Sequence, residues 1–198
     1  MTMNALQLKQ FSAWTTKLSE LLENISYTDQ NKKALDSDEA YHRLKSLTLK
    51  ARTHNRQIFL IGNGASSSMA SHIAADLCKN GRLATRCFTD ASLLSAIAND
   101  CGVEELFAEP LRRQANPGDI LVCISSSGES PNIIQACKVA KEMGLTIVTL
   151  SAMKAENRLR TYGDINFYVP AENYGFAETA HAAILHYWVD VIVETPED

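Results

Sequence analysis

Three groups of residues have the types and the spacing to act on a small, charged, oxygen-rich molecule. The first is Gly62-Asn63-Gly64-Ala65-Ser66-Ser67-Ser68, directly after the apolar run Ile58-Phe59-Leu60-Ile61. Glycines let a backbone turn sharply and come close to a ligand. Serines where a helix should start add hydroxyls to its unpaired N–H groups, and together these suit an anion. His72 and Asp76 follow four residues apart, on one face of the same predicted helix. The second group is Ser125-Ser126-Ser127-Gly128-Glu129-Ser130, again directly after an apolar run, Ile120-Leu121-Val122-Cys123-Ile124. The third is Glu178, His181 and His186 near the end of the chain. Glu178 and His186 are eight residues apart, about 80° around a helix axis, so they can share a face two turns apart.

Two Ser/Gly turns in one small chain point to a phosphate or a sugar. A nucleotide is a poor fit, because the third glycine of the dinucleotide fingerprint and the lysine of a P-loop are both missing. The elements that must carry these groups read as alternating strands and helices. The largely apolar segments 58–61, 119–124 and 145–150 suit buried strands of a parallel sheet, 83–88 reads as a short strand and 164–170 as the last strand. Between them, helices are expected at 65–77, 90–98, 103–113 and 131–143, the last with proline at its favoured first position, and a final helix at 176–194. Both Ser/Gly turns then fall at carboxyl ends of strands, where open α/β sheets bind ligands. Asn99-Asp100-Cys101-Gly102 reads as a helix-ending turn. Two amphipathic helices, 4–25 and 38–54, precede the first expected strand with polar residues between them, and suit a cap or a subunit contact.

The 198 residues are enough for one well-cored domain and few for two. A net charge of −4 with scattered Lys and Arg leaves no nucleic-acid footprint. No apolar run approaches the ~20 residues that span a bilayer, and Met1-Thr2-Met3-Asn4 lacks the regions of a signal peptide, so a cytoplasmic protein is expected. The five cysteines are widely spaced, with no C-x-x-C pair, and read as packing residues rather than metal or redox sites.

With these residues assembled, the chain resembles a sugar-isomerase (SIS) domain, and within that superfamily the bacterial phosphoheptose isomerases. The carriers are Gly62-Asn63-Gly64, His72…Asp76, Ala98-Asn99-Asp100, Ser125 to Ser130, and Glu178…His181…His186. The resemblance implies one SIS domain over 1–198, with 1–55 as an N-terminal helical extension and a flavodoxin-like, doubly wound parallel sheet. It implies conversion of sedoheptulose 7-phosphate to D-glycero-D-manno-heptose 7-phosphate, supplying lipopolysaccharide heptose, in a homotetramer with active sites at subunit interfaces. Ser125, Ser126, Ser127 and Ser130 would hold the sugar phosphate, while Asn63, Gly64, Ala65, Asp76, Asn99, Asp100 and Glu178 would line the substrate site. A divalent metal, usually zinc, would be held by His72, Asp76, Glu178 and His186.

Two positions depart from that family's pattern. Asp76 stands where Glu is typical, one methylene shorter, and Glu178 stands where Gln is typical. A ligand set of two imidazoles and two carboxylates still suits Zn²⁺, though harder cations compete better. Aldose–ketose isomerisation through an enediol needs a base at C1–C2, an acid for the oxygens and charge stabilisation. Asp76 is assigned as base and His186 as its acid/base partner, with Glu178 as the competing base; His181 is read as a supporting or interface residue. Three other readings stay open. One is a non-catalytic scaffold like a bacterial replication-initiation regulator, another is a SIS-type regulator sensing a sugar phosphate, and the third is an isomerase of a different phosphosugar.

Overall fold

The computed structural model describes residues 10–195. The chain runs α1 (Phe11–Glu23), β1 (Ser26–Asp29), β2 (Ala34–Leu35), α2 (Ser37–Thr53), β3 (Gln57–Gly62), α3 (Ala65–Lys79), β4 (Ala84–Cys87) and α4 (Ala91–Asp100). It continues α5 (Ala108–Gln114), β5 (Ile120–Ser125), α6 (Pro131–Glu142), β6 (Thr146–Ser151), β7 (Ile165–Tyr168) and α7 (Tyr174–Val193). Leu6, part of the first expected helix, lies outside the described residues.

All seven strands form one sheet in the order β2-β1-β7-β6-β5-β3-β4. The five strands from β3 onward pair in parallel. Numbered among themselves they follow 2-1-3-4-5, the flavodoxin-like order. Side chains alternate across this sheet. Ile58, Leu60, Val122, Ile124, Val148 and Leu150 join the core under α2, α3 and α7. Phe59, Ile61, Leu121, Cys123 and Ile147 join the core under α5 and α6. Burial on both faces is why these strands read as continuous apolar runs. In the first core the indole of Trp188 on α7 donates to Thr48 Oγ1 on α2 at 2.9 Å, locking those helices together.

Two expectations need correction. The segment between the N-terminal helices is not merely a polar connector. It forms the β1–β2 hairpin, and β1 runs antiparallel along the open edge of β7. Asp29 organises its turn by accepting from the N–H groups of Asn31 (2.8 Å) and Lys33 (3.0 Å). The helix expected at 103–113 is instead a 3₁₀ turn at Val103–Glu105 followed by α5. Pro110 requires this: its missing N–H is harmless only in a helix's first turn, so α5 starts just ahead of it.

Candidate active site

Both Ser/Gly turns lie at carboxyl ends of adjacent strands, because β3 and β5 pair in register up to Gly62 and Ile124. At the first turn β3 stops at Gly62, where an added Cβ would lie 2.6 Å from the Ser66 backbone, so only glycine admits α3 this closely. Of the three serines here, Ser66 is buried against the site, whereas Ser67 is half-buried and Ser68 exposed. At the second turn Ser125 and Ser126 are buried. Ser130 is the N-cap of α6, but its hydroxyl makes no capping bond and lies 3.3 Å from that of Ser125. Ser130 instead lines the cavity with Ser125, Ser126 and Ser127, while the first N–H groups of α6 are largely spent: Pro131 has none, Ile133 N–H donates to Asn132 Oδ1 and Ile134 N–H to the Ser130 carbonyl.

The second turn is braced from behind. Gly128 sits at φ +64 with the Asn157 side chain where a Cβ would be, its carbonyl accepts from Leu159 N–H at 3.0 Å, and the Glu129 carboxylate accepts from Arg158 N–H at 2.8 Å. Gly128 thus serves both a left-handed backbone and a close approach.

Between the turns lies a cavity of about 140 Å³ lined by Asn63, Ser66, Ile124, Ser125, Ser126, Ser127, Ser130, Tyr174 and Glu178. Gly64, Ala65, Asp76, Asn99 and Asp100 do not line it. Asn99 and Asp100 are exposed in the last turn of α4, where the Asn99 amide donates to the Asp100 carboxylate at 2.7 Å. Tyr174 and Glu178 are one turn apart on α7, so both meet the same wall.

His72, Asp76 and His186 form a second group, each offering a ligand atom within 4.8 Å of the others. His72 Nε2 lies 3.3 Å from Asp76 Oδ2, and the two imidazole rings meet edge-on at 5.3 Å. Two imidazoles and a carboxylate at this separation fit one divalent cation, zinc among them. Glu178 is not in this group; it precedes His186 by two turns, about 12 Å of helix rise, and its side chain lies on the cavity wall. A shared azimuth places residues on one face but does not bring them together. His181 points to the sheet instead: it is fully buried, neither ring nitrogen makes a well-formed hydrogen bond among the described residues, and burial pushes its pKa down to about 4.

Two site residues escaped the sequence reading. Tyr174 was detectable as the i−4 neighbour of Glu178. Asn132, whose amide exchanges hydrogen bonds with that of Asn63 at 2.9 and 3.0 Å, was not, because a polar residue in the first turn of a helix reads as surface.

Residues 14–152 match the SIS domain family model. The chain is 31% identical over 177 residues to the phosphoheptose isomerase of Helicobacter pylori, covering 86% of this chain and 92% of that protein. It is 35% identical over 155 residues to the phosphoheptose isomerase of Thermodesulfovibrio yellowstonii, covering 75% of each. The structure of phosphoheptose isomerase GmhA from Neisseria gonorrhoeae superimposes with a TM-score of 0.80 at 27% identity, over 93% of this chain and 98% of that one. Family model, relatives and fold agree: this chain is a SIS-domain protein of the phosphoheptose isomerase family.

Proposed function

We propose that this chain, a sugar-phosphate isomerase by family, interconverts sedoheptulose 7-phosphate and D-glycero-D-manno-heptose 7-phosphate. The observation that carries the reading is the cavity where two Ser/Gly turns and one carboxylate, Glu178, converge. Neutral serine hydroxyls gathered at the N-terminal ends of two helices suit a phosphate. From Ser66 to His72 the helix rises about 9 Å, a reach suited to an extended sugar chain of six or seven carbons. A phosphate seated between the turns would then present the far carbons to His72, Asp76 and His186. Binding energy at the phosphate holds the reacting end in place.

In this reading Asp76 takes the proton from one carbon and returns it to its neighbour, while His186 moves the proton between the two oxygens. Glu178, on the cavity wall, holds sugar hydroxyls and is the competing base. A divalent cation held by His72, Asp76 and His186 would supply positive charge for the oxygen on which negative charge develops. The domain reading, one SIS unit over 1–198, belongs to the same proposal.

The test is conversion of sedoheptulose 7-phosphate by metal-replete protein followed by NMR, with a chelated control and two variants. Aldoheptose 7-phosphate should form only with metal, and Asp76→Asn should lose at least ~100-fold in turnover, as expected for a lost general base. Near wild-type turnover in Asp76→Asn together with collapse in Glu178→Gln would move the base to Glu178. No heptose product from the parent protein, with another ketose phosphate converted, would replace the substrate.

A further inference from the structure

We infer that Asn132 is a positioning residue that sets the side chain of Asn63 and thereby holds the phosphate end of the site in register with its reacting end. The inference rests on the isomerase reading above. Asn132 lies in the first turn of α6, 5% exposed, and Asn63 lies on the cavity wall at the turn between β3 and α3. Asn132 Oδ1 accepts from the backbone N–H of Ile133 at 3.0 Å. That bond fixes which way the Asn132 amide faces, because a nitrogen in the same place would oppose two donors. Its Nδ2 therefore donates to Asn63 Oδ1 at 2.9 Å, and Asn63 Nδ2 donates back at 3.0 Å.

The orientation of Asn63 is thus dictated from the backbone of α6. Each amide spends one N–H and one lone pair on the pair, which leaves Asn63 a further N–H and lone pair for a ligand. Past the last paired residues of β3 and β5, this amide pair is what joins the two turns by hydrogen bonds among the described residues. The β5–α6 turn carries the serines, and the β3–α3 turn leads into the helix carrying His72 and Asp76. The amide pair is accordingly the bridge between the two ends of the site. A misplacement of about 1 Å there is enough to cost on the order of 100-fold in rate.

The experiment is a double-mutant cycle of Asn63→Ala and Asn132→Ala, read in kcat and KM, in inorganic phosphate affinity by calorimetry, and in thermal melting. Asn132→Ala should lower kcat/KM about 10- to 100-fold, mainly through kcat, with little change in phosphate affinity. In the Asn63→Ala background the same substitution should add almost nothing. Asn132→Ser keeps a small neutral polar side chain in the first turn of α6 but is too short to hold Asn63; it should reproduce the turnover loss of Asn132→Ala without a change in charge, and it serves if the alanine variant fails to fold. Additive losses in turnover overturn the proposal. So does phosphate affinity falling as far as turnover, because Asn132 would then only support the serine turn. If the parent converts no sedoheptulose 7-phosphate, the substrate reading fails by itself, and the melting cycle decides the bridge: coupled shifts uphold it and additive shifts overturn it.

Discussion

His181 on α7 is fully buried against the sheet, with no well-formed hydrogen bond to either nitrogen among the described residues, and burial is the dominant force on its protonation. The Ser151 backbone opposes the shift and is outweighed, leaving the pKa at about 4 against an ordinary 6.5. The unfolded chain binds this proton from about pH 6.5 downward, whereas the folded chain refuses it until about pH 4. The neutral ring's share of stability is therefore complete above pH 6.5 and drains away as pH falls to 4, on the order of 3 kcal/mol in total. His181→Leu removes that titration. Its melting temperature should fall less steeply than the parent's between pH 6.5 and 4. Parallel curves would assign the whole acid limb to carboxylates.

At the scale of elements, α7 spans both parts of the site, since it supplies Tyr174 and Glu178 to the cavity and His186 to the cluster with His72 and Asp76. Its start is set by Asn173, whose side chain accepts from Phe176 N–H at 3.0 Å. Asn173→Ala should cost about 1 kcal/mol, or about 2–4 °C in melting temperature for a domain of this size. Fraying of the first turn should also raise KM for the sugar phosphate, because Tyr174 and Glu178 sit there; an unchanged KM would mean the apolar body of α7 fixes that turn without its cap. The strands that carry the site were legible because burial on both faces demands apolar runs. The β1–β2 hairpin was not, since Ser26-Tyr27-Thr28-Asp29 is half-buried at every position and shows no alternation. Its cause is the unpaired edge of β7, which is tertiary and leaves no local mark. The break before α5 did leave one, in Pro110. Within the site, glycines and serines announced both turns, because backbone geometry and anion binding each restrict residue type. The separation of Glu178 from His72, Asp76 and His186 was hidden, because helical angle is readable in a sequence but the partners met along the axis are not.

At the scale of the molecule, the site within one chain is small and open. Its cavity of about 140 Å³ falls short of the ~300–1,000 Å³ usual for a whole small-molecule site. The His72 side chain is 60% exposed, and His186, Asn99 and Asp100 are exposed as well. Proton transfer at carbon is served by excluding water, which strengthens every charge in the site and protects a reactive intermediate. One chain does not provide that enclosure, and a second chain laid over α3, α4 and α7 would. This openness agrees with the homotetramer with interface sites that the family resemblance implies, and dilution tests it. Assembly by mass action makes the consequence measurable. Specific activity should hold constant while sedimentation shows the tetramer, then fall as dilution dissociates it, and recover on reconcentration. Metal should be lost over the same concentration range, because His72 and His186 then face bulk water. A dissociated chain that kept full turnover would show that a single copy closes its own site, and the exposure of His72 and His186 would then need another explanation.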